Sequence, residues 1–169
     1  MLRPIVRYGA HGLHRPAAPV EAFDAALQTL IDDMIETMYA APGIGLAAPQ
    51  IGVSSRICVV DLSVGKVGGE LLTLINPEFV EREGMQLEEE GCLSVPGFVA
   101  TVARPSRVVV RIRDRDGRER TIEGTGLLAR ALQHELDHLD GRLFLDCLRG
   151  IKRELIVRKI RKLQRAGTW

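Results

Sequence analysis

Residues 125–141 read Thr-Gly-Leu-Leu-Ala-Arg-Ala-Leu-Gln-His-Glu-Leu-Asp-His-Leu-Asp-Gly, and this stretch decides the architecture because it is a helix with chemistry on its apolar side. Thr125 is a suitable N-cap and Gly141 a suitable stop. Leu127, Ala131, His134 and His138 recur at helical spacing, with Leu128, Leu132, Glu135 and Leu139 on the adjoining stripe and Arg130, Gln133, Asp137 and Asp140 on the polar side. Two imidazoles four residues apart stand one above the other, about 6 Å along the axis at ~1.5 Å rise per residue. Two inward histidines flanking an inward glutamate form the His-Glu-x-x-His pattern, in which the histidines hold a metal ion and the carboxylate handles a proton. Two core histidines bonded to backbone are the plain alternative, but a buried, unpaired Glu135 makes that arrangement costly.

Outward from this helix, Val20–Tyr39 carries Phe23, Leu27, Leu30, Ile31, Met34 and Met38 at helical spacing and ends at Pro42-Gly43, which predicts a long N-terminal helix. Arg56–Leu62 and Leu71–Ile75 flank a glycine-rich turn and predict paired strands, and the alternation of Val108, Val110 and Ile112 before Asp116-Gly117 predicts a hairpin returning through Arg118–Ile122. Cys58 is placed in a strand and Cys147 at the end of one, both as packing residues. Ile151, Leu155, Ile156, Ile160 and Leu163 give a C-terminal helix an apolar face.

The chain has 169 residues, 46% of them hydrophobic, which suits a single domain over 1–169. Its longest uncharged stretch, Ala40–Ser55, is broken by Pro42, Pro49 and three glycines, so no membrane span is expected, and no apolar signal core follows Arg3, so a cytoplasmic location is. Three cysteines at irregular spacing argue against a disulfide framework. Formal net charge is +1, yet residues 149–165 hold eight basic residues and one acid, so a basic C-terminal helix sits on an acidic body.

A third metal ligand is needed. Phe144 stands where a metzincin would place its last histidine, which excludes that class. Glu154 is the one glutamate after the motif and would serve a thermolysin-like peptidase, at a short spacing. Upstream, Glu90-Gly91-Cys92-Leu93-Ser94 offers a thiolate that would complete a His₂Cys set with an open fourth position. A purely structural site would instead use four protein ligands.

Three stretches together resemble the peptide deformylases: Gly43-Ile44-Gly45-Leu46-Ala47-Ala48-Pro49-Gln50, Glu90-Gly91-Cys92-Leu93-Ser94 and Gln133-His134-Glu135-Leu136-Asp137-His138, in family order, in a chain of family-like length. The likeness runs from about Pro4 to Asp146, is thinnest at Ala10–Leu13, and the short link from Gln50 to Arg56 is that of the type I, bacterial-like enzymes. It implies an α+β fold with antiparallel β-sheets packed around a central metal-binding helix, and hydrolysis of the formyl group from the N-terminal formyl-methionine of nascent polypeptides. It implies Cys92, His134 and His138 as ligands of one divalent ion, Fe²⁺ natively, with Zn²⁺, Ni²⁺ or Co²⁺ as substitutes. Glu135 would be the general base and then acid, and the Gln50 amide and Leu93 N–H the oxyanion donors. The substrate peptide would lie as a strand along Ile44, Gly45 and Gly91, with its methionine against Leu127 and Ala131. Asp137 would pair with Arg104, and Arg130 is expected to meet Glu88 or Glu89 at the pocket rim. The partners implied are formyl-methionyl nascent chains and, through the basic helix, the ribosome; neither DNA nor a membrane is expected.

Overall fold

The computed structural model describes all residues, 1–169. Helix α1 (Ala25–Ala40) leads into β1 (Gly45–Ala47), β2 (Ile57–Val60) and β3 (Leu72–Glu83). The hairpin β4 (Gln86–Gly91) and β5 (Val99–Arg104) follows, then β6 (Arg107–Arg113), β7 (Glu119–Thr125), α2 (Gly126–Leu139) and α3 (Ile151–Arg165). Strands β1-β2-β3-β6-β7 form one antiparallel sheet in that order, and β4-β5 form a separate two-stranded sheet.

The larger sheet is covered on both faces, which explains why β2 is an unbroken apolar run. Its Cys58 and Val60 pack with Leu74, Val108 and Val110 against Ala129, Leu132, Leu136 and Leu139 of α2, whereas Ile57 and Val59 pack against Leu27, Ile31, Met34 and Met38 of α1. Helix α2 therefore lies at the centre, as its two apolar stripes require. A third core joins Val95, Val102 and Leu143–Leu145 to Val157 and Ile160 of α3, bringing the C-terminal helix beside the Cys92 segment.

Several boundaries differ from the expectations. Helix α1 begins at Ala25 rather than Val20, because the Asp24 carboxylate accepts from the Leu27 N–H at 2.9 Å and caps it. Val20 is instead held in extended backbone by Asn76, whose side chain accepts from the Val20 N–H and donates to the Val20 carbonyl. Strand β3 continues past Ile75 to Glu83 through register shifts near Asn76 and Phe79, bulges that bend it. Strand β7 runs to Thr125 and feeds α2 directly. Cys147 lies in a 3₁₀ turn, Phe144–Cys147, rather than at a strand end. On α3 the buried side is Val157 and Ile160, while Ile151 and Leu155 are exposed, so the apolar face is narrower and rotated from the expected one.

Gly141 closes α2 at φ 77°, and a Cβ there would meet the Arg15 backbone at 2.7 Å, so both its conformation and its contact require glycine.

Candidate metal centre

Cys92 Sγ and one ring nitrogen each of His134 and His138 lie within 4.8 Å of one another. His138 Nε2 is 3.3 Å from both Cys92 Sγ and His134 Nε2. A tetrahedral ion with metal–nitrogen bonds of ~2.0–2.1 Å leaves its two nitrogens about 3.3 Å apart, so the imidazole pair has the spacing a bound ion demands. The donor set is one thiolate and two imidazoles, a combination suited to a divalent transition metal. Glu154, the competing ligand on α3, is not part of the cluster.

The second ring nitrogen of His134 is fixed by chemistry from β4. Its Nδ1 is 2.8 Å from Glu90 Oε1, which selects the tautomer that leaves Nε2 free to ligate. Burial raises the Glu90 carboxyl, but hydrogen bonds from His134 and Arg104 outweigh it and hold the group at about 2, ionised throughout the working range. Arg104 bridges Glu90 to Asp137, with Nη1 2.9 Å from Asp137 Oδ2, the partnership expected for Asp137.

Arg130 corrects the expectation. It is 5% exposed, and it meets neither the Glu88 nor the Glu89 carboxylate: Nη1 donates to Glu90 Oε2 (3.1 Å) and to the Glu88 backbone carbonyl (3.2 Å), and Nη2 to Gln86 Oε1 (2.7 Å). Gln133 is also buried, with its amide bonded to the Pro105 carbonyl at 3.0 Å. The polar side of α2 thus lies beneath the β4-β5 hairpin rather than in solvent, and it is polar because the hairpin brings it acceptors.

Glu135 is 4% exposed, and its Oε2 has no hydrogen-bond partner in the protein. Burial pushes its carboxyl up to about 7, against the opposing pull of His134, so it can accept and return a proton near neutrality. Gly45 leaves room for it. A Cβ at residue 45 would collide with the Glu135 carboxylate, approaching Cδ to 2.9 Å. The Gln50 side chain is clamped from both ends: Oε1 accepts from the Ala47 N–H (2.9 Å), and Nε2 reaches Ser94 Oγ (3.2 Å) and Cys92 Sγ (3.6 Å). Leu93 N–H donates to no backbone carbonyl, which leaves a free donor beside Cys92.

A cavity of about 450 Å³ opens over this cluster. Ile44, Gly45, Gly91, Leu127 and Ala131 all line it, together with Gln50, Leu93, Cys92, His134 and Glu135. It lies between β1, the edge of the five-stranded sheet, and β4 of the two-stranded one. Sequence reasoning missed Phe98, Val95 and Val99 on the walls, Glu90 as the partner of His134, and Ser94 as the clamp on Gln50. The period-2 alternation of Gln86, Glu88 and Glu90 in a hairpin was the available signal for Glu90.

Three convergent ligand atoms, two from a buried helix and one from the segment after β4, with a carboxylate of raised pKa and an adjacent cleft, define the class, a metal-dependent hydrolase. A family model described as polypeptide deformylase matches residues 2–154. A peptide deformylase of Acidobacterium capsulatum is 53% identical over 169 residues, covering 100% of this chain and 99% of that protein. The crystal structure of a peptide deformylase from Legionella pneumophila superposes with a TM-score of 0.91 at 48% identity, covering 99% of this chain and 98% of that one. The peptide deformylase of Thermus thermophilus gives a TM-score of 0.89 at 43% identity, with 96% and 95% covered. The chain belongs to the polypeptide deformylase family, and its activity is the metal-dependent removal of the formyl group from the N-terminus of nascent polypeptides.

Proposed function

We propose that Cys92, His134 and His138 hold the single catalytic ion, and that the substrate is a formyl-methionyl chain lying as an added strand between Gly43–Gly45 and Gly91. The observation that carries this is the convergence of the three ligand atoms within 4.8 Å at the base of the cavity that Glu135 faces. Bound there, a divalent ion supplies Lewis acidity toward water and the formyl oxygen. Glu135 takes the proton from the attacking water and delivers it to the departing amine. The Gln50 amide and the Leu93 N–H receive the negative charge that builds on the formyl oxygen, and because both are held before reaction they cost no reorganisation. Leu127 and Ala131 receive the methionine side chain, and Gly91 lets the peptide backbone approach.

The native ion is Fe²⁺, with Zn²⁺, Ni²⁺ or Co²⁺ able to occupy the same thiolate and imidazole donors. Anaerobic purification with metal analysis should give one ion per chain, lost in Cys92→Ser and retained in Glu154→Ala. Retention in Cys92→Ser would refute the ligand set. Deformylation of a formyl-Met peptide without cleavage of an N-acetylated one separates this reaction from an endopeptidase's.

The enzyme works in the cytoplasm, where nascent chains emerge; no helix is long and apolar enough to cross a membrane. Helix α3 contributes ribosome affinity through its exposed Lys152, Arg158, Lys159, Arg161 and Lys162. Because Val157 and Ile160 belong to the core, the test is charge removal rather than truncation: ribosome co-sedimentation should fall when Arg158, Lys159, Arg161 and Lys162 become Ala, and unchanged co-sedimentation would refute the idea.

A further inference from the structure

The two oxyanion donors come from different sheets. Gln50 lies in the turn Ala48–Ile51 that follows β1 of the larger sheet, whereas Leu93 and Ser94 lie just after β4 of the smaller one. Both donors must reach one oxygen, and a misplacement of ~1 Å in such a site can cost on the order of 10²-fold in rate.

One segment of chain spans both loops. The Val6 N–H donates to the Gln50 carbonyl and the Tyr8 N–H to the Ser94 carbonyl, each at 2.8 Å. Gln50 and Ser94 are 1% and 0% exposed, so their carbonyls have no water to replace these donors. Two donors so close in sequence hold the loops within the segment's own reach, at most about 7 Å at ~3.3 Å per residue.

The segment is tied down at both ends. Arg3 pairs with Asp33 of α1 at 2.6 Å, and its N–H donates to Thr37 Oγ1 at 3.0 Å. At the other end, the Tyr8 carbonyl accepts from Gln164 Nε2 of α3 (3.3 Å) and from Trp169 Nε1 just beyond that helix (2.9 Å). Gly9, at φ 100°, makes this latch possible, since a Cβ there would approach Gln164 Nε2 to 2.8 Å. The Trp169 ring also lies against Phe98 of the cavity wall, with centroids 6.1 Å apart.

We infer that Gln164 and Trp169 are positioning residues for the oxyanion site: by latching the Tyr8 carbonyl they fix Val6–Tyr8, and through it the placement of Gln50 relative to Leu93 and Ser94. This rests on the oxyanion role proposed above for Gln50 and Leu93. A latch that shapes only the place where charge develops changes kcat and leaves KM alone.

The double variant Gln164→Leu/Trp169→Phe removes both donors and keeps an aromatic ring against Phe98. Its kcat on a formyl-Met peptide should fall about ten-fold, the worth of one or two hydrogen bonds, with KM unchanged and the metal still bound. Each single variant should show a smaller fall, about three-fold. Asp24→Ala, a stability lesion at the far end of α1, should leave kcat intact. In a Gln50→Ala background the double variant should change kcat by less than about two-fold, because relative placement loses its meaning once one donor is gone. Unchanged kcat, a loss that persists in full beside Gln50→Ala, a loss explained by missing metal, or a change confined to KM would overturn the inference. Full kcat in Gln50→Ala itself would instead sink the oxyanion reading on which it rests.

Discussion

Glycine at position 45 is required by the general base rather than by backbone conformation. The missing Cβ leaves the space that Glu135 occupies, so Gly45→Ala should push the carboxylate away from the cavity. Expected is a loss of kcat on the order of 10²–10³-fold with one metal ion still bound. A variant that kept kcat while raising only KM would show that Gly45 serves the peptide alone. Gln50→Ala should cost on the order of 10²-fold in kcat, because the clamp from Ala47 and Ser94 holds its amide where charge develops. Full kcat in that variant would remove Gln50 from the oxyanion site.

Helix α2 works as an element because its sides are satisfied by different partners. Ala129, Leu132, Leu136 and Leu139 face the large sheet, Leu127, Ala131, His134 and Glu135 face the cavity, and Arg130, Gln133 and Asp137 are satisfied by the hairpin, Pro105 and Arg104. Removing the Arg130 guanidinium leaves the buried Glu90 with Arg104 and His134 but one charged partner fewer, and Gln86 and the Glu88 carbonyl without their donor, so Arg130→Met should destabilise by about 3 kcal/mol. For a chain of this size that is a fall in Tm of roughly 6–12 °C, measurable by calorimetry, and an unchanged Tm would contradict the buried network. At α1 the corresponding device is the Asp24 cap, whose loss in Asp24→Ala should cost about 1 kcal/mol with the site untouched.

The stability of the whole molecule should depend on acid through Asp61. This carboxylate is 1% exposed and accepts from Tyr39 Oη (2.6 Å), the Ser63 N–H (2.8 Å) and hydroxyl (2.7 Å), and the Gly65 N–H (3.0 Å). Burial raises its pKa, and these donors outweigh burial and bring it below the ordinary carboxylate value. A depressed folded-state pKa stabilises the protein above the unfolded value of ~3.9, and the stabilisation is lost as pH falls through the folded value. The urea midpoint should therefore decline with acid below about pH 4, and Asp61→Asn should lower it at neutrality and flatten that limb. Metal removal acts at the same scale. An ion that binds the folded chain adds RT ln(1 + [M]/Kd), so chelation should lower Tm and added metal restore it; a Tm indifferent to chelator would argue against the ligand cluster.

How much of this was legible follows from range. Residues 125–141 determined the central helix, its inward histidines and the buried Glu135, because a period of 3.6 places i and i+4 on one face without help from the rest of the chain. The same local logic found α1 and the β6-β7 hairpin, while their ends moved to Asp24 and Thr125 where caps and strand pairing ruled. Cys92 could be matched to its metal set through motif resemblance, since it lies 46 residues from His138 and no periodicity connects them. The tertiary structure alone decided that Arg130 and Gln133 are buried, that Glu90 fixes His134, and that α3 turns Ile151 and Leu155 outward. Each of these depends on a strand or helix arriving from elsewhere, and whether a polar side chain meets water or a partner is set by that arrival rather than by its own neighbours in sequence.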